Sequence, residues 1–196
     1  EDIVAERITA FLDALDSNMA LHADGLIKHY VHPSLRSIVS KLRRRPETYP
    51  LLWNALVNPL YARSEKRRRK ELGYQSVNLS ALARLHAEVG DHPFWSSDKL
   101  ESAIRCLEER TDQLLSGDDI IHGSTMPGTD IAVVLHEFEG TPFAELQHLV
   151  EHDLDRLLDR STYLLESSRI DTNDQAALVV KFLDLPDATL PVASHD

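Results

Sequence analysis

The sequence predicts a mainly α-helical protein in two modules, and three observations lead there. Leucine is the most frequent apolar side chain while aromatics make up only 6% of the chain, which favours helices over a β-sandwich. Apolar residues recur at three- and four-residue steps in one segment after another, the period of a helix with one buried stripe. A stretch rich in Gly, Ser, Thr, Asp and Pro, Gly117 to Thr129, then divides the 196 residues into a longer and a shorter part.

The first helix is expected from about Ile3 to Leu21, with Val4, Ile8, Phe11, Leu12, Leu15 and Met19 on its inner face and Asp24-Gly25 as punctuation. Pro33 suits the first turn of a second helix, where its missing N–H costs nothing. Leu35, Ile38, Val39 and Leu42 face inward there, Arg43 to Arg45 end it favourably against the helix dipole, and Pro46 stops it. Pro50 and Pro59 bracket a short helix carrying Leu51, Leu52, Trp53, Leu56 and Val57. A further helix carries the run Lys66 to Lys70 and ends near Gly73. Asn78 to Val89 follows, with Leu79, Leu82, Leu85 and Val89 inward and Gly90 as the cap. After the turn Asp91-His92-Pro93, Ser96 or Ser97 caps a helix through Leu115, closed by Gly117.

Composition narrows the class. A hydrophobic share of 42% and a charged share of 27% belong to a folded chain rather than a disordered one. The single cysteine, Cys106, excludes an internal disulfide, and its place between Ile104 and Leu107 marks a buried, inert thiol. No apolar run approaches the roughly 18 residues of a membrane span, and Glu1-Asp2 opens the chain without signal-peptide character. The expectation is an intracellular protein, cytoplasmic or nuclear, with no membrane partner. There is no internal repeat and no low-complexity tract.

The shorter part, 130–185, reads as a helix Asp130–Phe138 ending at Gly140, a helix Phe143–Val150 after Thr141-Pro142, and a helix Leu154–Ser167. Arg169-Ile170-Asp171, the turn Thr172-Asn173-Asp174-Gln175 and an apolar strand Leu178–Leu183 complete it. On the stretch TPFAELQHLVEHDLDRLLDRSTYLLESSRIDTND this order resembles the winged helix-turn-helix superfamily. The resemblance covers under a third of the chain and carries no invariant signature. It implies a helical bundle (1–117), a linker or loop (118–129), a winged-helix-like module with a short β-hairpin (130–185) and a tail (186–196). A competing reading stands beside it, because Phe143, Leu146, Val150, Leu154, Leu157 and Leu164 also fit one unbroken helix, and the supposed turn Glu151-His152-Asp153 has no Gly or Pro.

Charge is segregated. Residues 28 to 70 hold twelve Lys/Arg against two Asp/Glu, a net +10 in a chain whose total is −11. Clustered cations attract polyanions and acidic surfaces. The candidate phosphate contacts are Lys41, Arg43, Arg44, Arg45, Arg63, Lys66, Arg67, Arg68, Arg69 and Lys70, with Tyr49, Trp53, Tyr61 and Tyr74 near enough to stack on bases. A solvated helix face is the ordinary use of a single such run. The winged-helix resemblance implies that the third helix enters the DNA groove, but here it is acidic, so Asp153, Asp155, Arg156 and Asp159 are read as docking a protein partner or a second copy.

Glu145, His148 and His152 are spaced ExxHxxxH, which on a continuous helix gives the ligand face of a metal-dependent enzyme. A turn at Glu151–Asp153 breaks that face and a straight helix keeps it. A polar helix flank is the commoner meaning. No phosphate-cradling Gly-rich motif, CxxC pair or nucleophile elbow is present. The expectation is therefore a non-enzymatic, nucleic-acid-associated protein without cofactor or metal, of a replication, repair, transcription or chromosome-maintenance assembly. Alternatives are a protein-binding adaptor or homo-oligomer without nucleic acid, and the metal enzyme.

Overall fold

In a computed structural model, residues 2–29, 65–116, 125–159, 162, 164, 165, 181 and 185 are described, and among them the protein is mainly α-helical. Helix α1 (Asp2–Asn18) buries Leu12 and, just past its end, Met19, while Ile3, Val4 and Phe11 stay exposed. The helix was expected to reach Leu21. It stops earlier because Leu21 pairs with Ile27 across a tight hairpin loop, in which the His22 N–H donates to the Leu26 carbonyl at 2.8 Å. Gly25 allows that loop to lie flat. Its φ is +82°, and a Cβ there would sit 2.2 Å from the Ser102 carbonyl oxygen. Leu26 then plugs the core with no exposure.

Helix α2 (Glu65–Glu88) runs unbroken through Gly73, where the sequence suggested two helices. Glycine in a helix interior costs only about 1 kcal/mol relative to alanine, and burial of Leu72, Leu79, Leu82 and Ala83 along one face outweighs that. A 3₁₀ turn (Pro93–Ser96) is capped by His92, whose side chain accepts from the Phe94 N–H, and it anchors itself by burying Phe94. Ser97 caps α3 (Asp98–Glu109), accepting from the Leu100 N–H at 3.3 Å, as its position suggests. The expected single helix to Leu115 breaks at Arg110, leaving a short α4 (Thr111–Leu115).

Helix α5 (Pro127–Glu139) starts inside the expected linker and ends, as expected, on Gly140 in the left-handed conformation. Helix α6 (Phe143–Leu157) passes straight through Glu151-His152-Asp153, so the expected turn is absent and the continuous reading holds there. Leu146, Leu149, Val150, Asp153 and Leu157 share its inner face, and a turn would have lifted part of that stripe out of the core. The helix expected at Leu154–Ser167 gives way after Leu157 to β1 (Leu158–Asp159), paired antiparallel with β2 (Leu164–Leu165). The helices expected between Pro33 and Pro59, the turn at Thr172–Gln175 and the tail lie outside the described residues, as does the strand 178–183 apart from Lys181.

Helices α2 and α5 pack along each other, and α6 closes over α5. One hydrophobic cluster runs from Leu12 to Val150, so the division at 118–129 does not separate two cores. Helix α6 approaches α5 closely at Gly128, where a Cβ would fall 2.1 Å from the Leu149 carbonyl oxygen. That closeness lets the buried Asp153 carboxylate accept from the Thr129 N–H at 2.7 Å. It satisfies one of the orphan donors at the α5 N-terminus, which has no cap of its own.

Candidate functional site

A cluster of ionisable side chains lies where the hairpin loop 19–29 rests on the first half of α2. Arg67, Glu71 and Gln75 follow at four-residue steps and therefore form one ridge of the helix. Glu71 is 1% exposed and receives two donors: Arg67 Nε on Oε1 at 3.0 Å and His22 Nε2 on Oε2 at 2.9 Å. Arg67 is itself 3% exposed, so its charge and that of Glu71 are buried together. Gln75, fully buried, accepts from the Ile27 N–H at 2.7 Å and donates to the Ala103 carbonyl at 2.8 Å. The ridge thus pins the loop to α2 and α3 through polar contacts with defined directions.

Asp24, at the loop tip, accepts from both Arg68 and Arg110 through Oδ2. Burial alone pushes its carboxyl up, but the Arg110 and Arg68 guanidinium groups, with backbone N–H groups of Asp24 and Leu26, together hold it below its ordinary value of 3.8. Asp24 therefore contributes stability above that pH and loses it as the pH falls through the lowered value. In urea titrations across pH, Asp24→Asn is expected to be less stable than the wild type at neutral pH. The gap should close as the pH falls through the lowered carboxyl value. A gap independent of pH would show that the carboxylate charge is not what holds the loop.

The chemistry of the group centres on His22. With Nε2–H donating to Glu71, Nδ1 is left as the lone-pair nitrogen, and Arg67 fixes the carboxylate that orients the ring. This is the geometry of an acid–base dyad held from behind. Beside it the His29 ring stacks on Tyr74, centroids 4.3 Å apart and planes within 5°.

The candidate phosphate contacts fall in several places. Lys41, Arg43, Arg44, Arg45 and Arg63 lie outside the described residues, and Lys66 is placed only as a backbone position in α2. The expectation for Arg67 is corrected, because its guanidinium is inside the protein on Glu71. Arg68 holds Asp24, and the exposed Arg69 pairs with Glu65 one turn earlier at 2.9 Å. Lys70 is half-buried.

The acidic docking residues divide as well. Asp153 is fully buried, correcting its assignment to an outer surface, and burial pushes its carboxyl up despite the Thr129 N–H. Asp155 and Arg156 are exposed, with Arg156 donating to the Thr125 carbonyl at 2.8 Å. Asp159 accepts from Thr162.

The straight α6 keeps Glu145, His148 and His152 on one helix, yet they do not converge. His148 Nδ1 bonds the Glu145 carbonyl in its own preceding turn, and His152 lies 3.7 Å from the Asp153 carboxylate. Among the described residues no group of three or more His, Cys, Asp and Glu is placed to hold a metal. A groove of about 580 Å³ between α1, the hairpin and α2 is lined mainly by apolar side chains, among them Phe11, Leu15, Met19, Leu82 and Leu85, with Asn18, Lys28 and Asn78 as its polar members. Among the described residues no helix is long and apolar enough to cross a membrane.

No family model matches the chain, and no solved structure matches it. A curated protein of Haloferax volcanii, "Archaeal glycosylation protein Q", is 28% identical over 193 residues. The chain is similar to a glycosylation protein. The match takes in 94% of this chain and 51% of the relative, so the chain spans about half the relative's length. It runs through the helical bundle and the α5–α6 segment alike.

Signals for the dyad were thin in the sequence. The Arg67/Glu71 spacing of four is readable as a helical ion pair, but His22 lies 49 residues from Glu71 and only the fold brings them together.

Proposed function

We propose that the chain is a helical part of a glycosylation-pathway protein and that the His22–Glu71–Arg67 group is its polar centre. The observation that carries this reading is the similarity to the Haloferax volcanii glycosylation protein over nearly the whole chain. In this reading the chain holds or positions a sugar-bearing molecule, and no catalytic step is assigned to it.

The test is deletion of the gene that encodes the chain, followed by mass spectrometry of the glycans on the host's glycoproteins. Altered or truncated glycans, restored by the intact gene, are expected. An unchanged glycan profile sinks the reading.

The nucleic-acid reading of the basic segment has less to stand on than it had in the sequence. Three of its arginines are held by Glu71, Asp24 and Glu65. The winged-helix reading meets α6 crossing the position of its turn. Salt-sensitive oligonucleotide binding in fluorescence anisotropy, lost when Lys41 and Arg43 to Arg45 become Glu, would favour the nucleic-acid reading over glycosylation.

A further inference from the structure

The C-terminal turns of α2 and α5 and the 3₁₀ turn bring four side chains together on the opposite end of α2 from the dyad. His86 Nδ1 lies 2.6 Å from Glu137 Oε1. The His86 ring meets Trp95 edge-on at 5.1 Å and 78°, and Phe138 at 5.1 Å and 42°. The two aromatic rings are 6.2 Å apart and inclined at 38°. All four are half-buried, His86 and Glu137 each 26% exposed.

Trp95 and Phe138 pack against the hydrophobic core on one side and remain partly exposed on the other. Phe94, one residue before Trp95, already anchors the 3₁₀ turn at 1% exposure. The Trp95 indole N–H is spent on the Val89 carbonyl at 2.8 Å and Phe94 meets the ring at 5.3 Å and 64°, which fixes the indole and leaves only its exposed apolar remainder to a ligand. The His86–Glu137 pair uses one nitrogen and one oxygen, leaving Nε2 and Oε2 oriented beside the rings. Apolar ring surface with a few fixed polar groups is the make-up of a small-ligand site.

We infer that Trp95, Phe138, His86 and Glu137 form a binding site for a neutral saccharide. A sugar ring has an apolar, weakly positive C–H face that packs on the electron-rich face of an indole or phenyl ring. Its hydroxyls both donate and accept, which suits a carboxylate oxygen and an imidazole nitrogen held in advance. A cationic ligand is disfavoured, because the His86 ring already lies against both aromatic rings, where a cation would sit, and is bonded to the Glu137 carboxylate. The choice of sugar as ligand rests on the glycosylation reading above, while the geometry does not.

The experiment titrates the full chain with glucose, galactose, mannose, N-acetylglucosamine and their short oligomers, read by tryptophan fluorescence and saturation-transfer NMR. Tetramethylammonium is the cationic control. At least one saccharide is expected to bind, Glu137→Gln to weaken it about tenfold through loss of a charged hydrogen-bond partner, and Trp95→Phe to abolish the fluorescence response. Thermal melts check that both variants fold, and Glu137→Gln, at a partly exposed position, keeps the test open should Trp95→Phe fail to fold. The proposal is overturned if no saccharide in the panel moves either signal, if binding is unchanged in the folded variants, or if tetramethylammonium alone binds. Altered glycans on gene deletion with no saccharide binding would remove this site and leave the glycosylation reading standing. Saccharide binding with unchanged glycans would do the reverse.

Discussion

Glu71→Ala is expected to destabilise the protein by about 3–5 kcal/mol at pH 7, the usual cost of removing one member of a buried ion pair. The alanine would take from Arg67, which is 3% exposed, the carboxylate its Nε donates to, and release His22 from its acceptor on α2. That is a large part of the roughly 5–15 kcal/mol that holds a typical domain together. Glu71→Gln is the informative companion. It keeps the shape and one acceptor oxygen but not the charge, so it should fall between the wild type and Glu71→Ala. Chemical denaturation followed by circular dichroism measures both. A loss under about 1 kcal/mol for the alanine would mean that Arg67 finds water or another acceptor, and the ridge would then not be what fixes the hairpin loop.

Gly128→Ala should be nearly as damaging for a different reason. The new methyl would sit 2.1 Å from the Leu149 carbonyl oxygen and 2.9 Å from its carbon, both backbone atoms that no rotamer change can move. Helices α5 and α6 would have to separate, at a cost of about 3 kcal/mol or more for overpacking a filled interior. Separation would also stretch the 2.7 Å bond from the Thr129 N–H to Asp153 and admit water to a fully buried carboxylate. Gly140 supplies the control, since a Cβ there meets nothing within 4 Å and only its φ of +66° is at stake. Gly140→Ala should therefore cost about 1–2 kcal/mol. Calorimetry on the two variants decides it, and equal losses would contradict the close-approach argument.

Local signals were legible where the sequence itself determines them. The Ser97 cap, the Gly140 stop and the Ile8, Leu12, Leu15 and Met19 part of the first apolar stripe depend on neighbours within a turn or two. Val4 and Phe11, expected inward on that stripe, stay exposed, and α5 starts at Pro127, three residues before the expected Asp130. Two breaks read into the sequence failed for one reason: tertiary burial overrode them. Gly73 sits inside α2 because the residues on both sides of it are buried on one face, and Glu151–Asp153 stays helical because Asp153 is drawn inward to Thr129. The basic run misled in a way that helix geometry explains. Five consecutive residues on a helix point at steps of about 100°, so Lys66 to Lys70 cannot all face solvent. Arg67 takes the inner direction, and Glu71 one turn on accompanies it. Nothing in the order of residues says that His22 and Asp24 complete that group, or that His86 and Trp95 meet Glu137 and Phe138.

The single cysteine has a place in this arrangement that its chemistry makes useful. Cys106 is 2% exposed beneath the hairpin loop, with its Cβ 2.9 Å from where a Gly25 side chain would begin, and burial pushes its thiol up. A reagent that attacks thiolates finds it only after the loop has lifted from α3. The protein therefore carries its own stopwatch: one sulfur whose modification keeps time with the opening of the segment that bears His22 and Asp24.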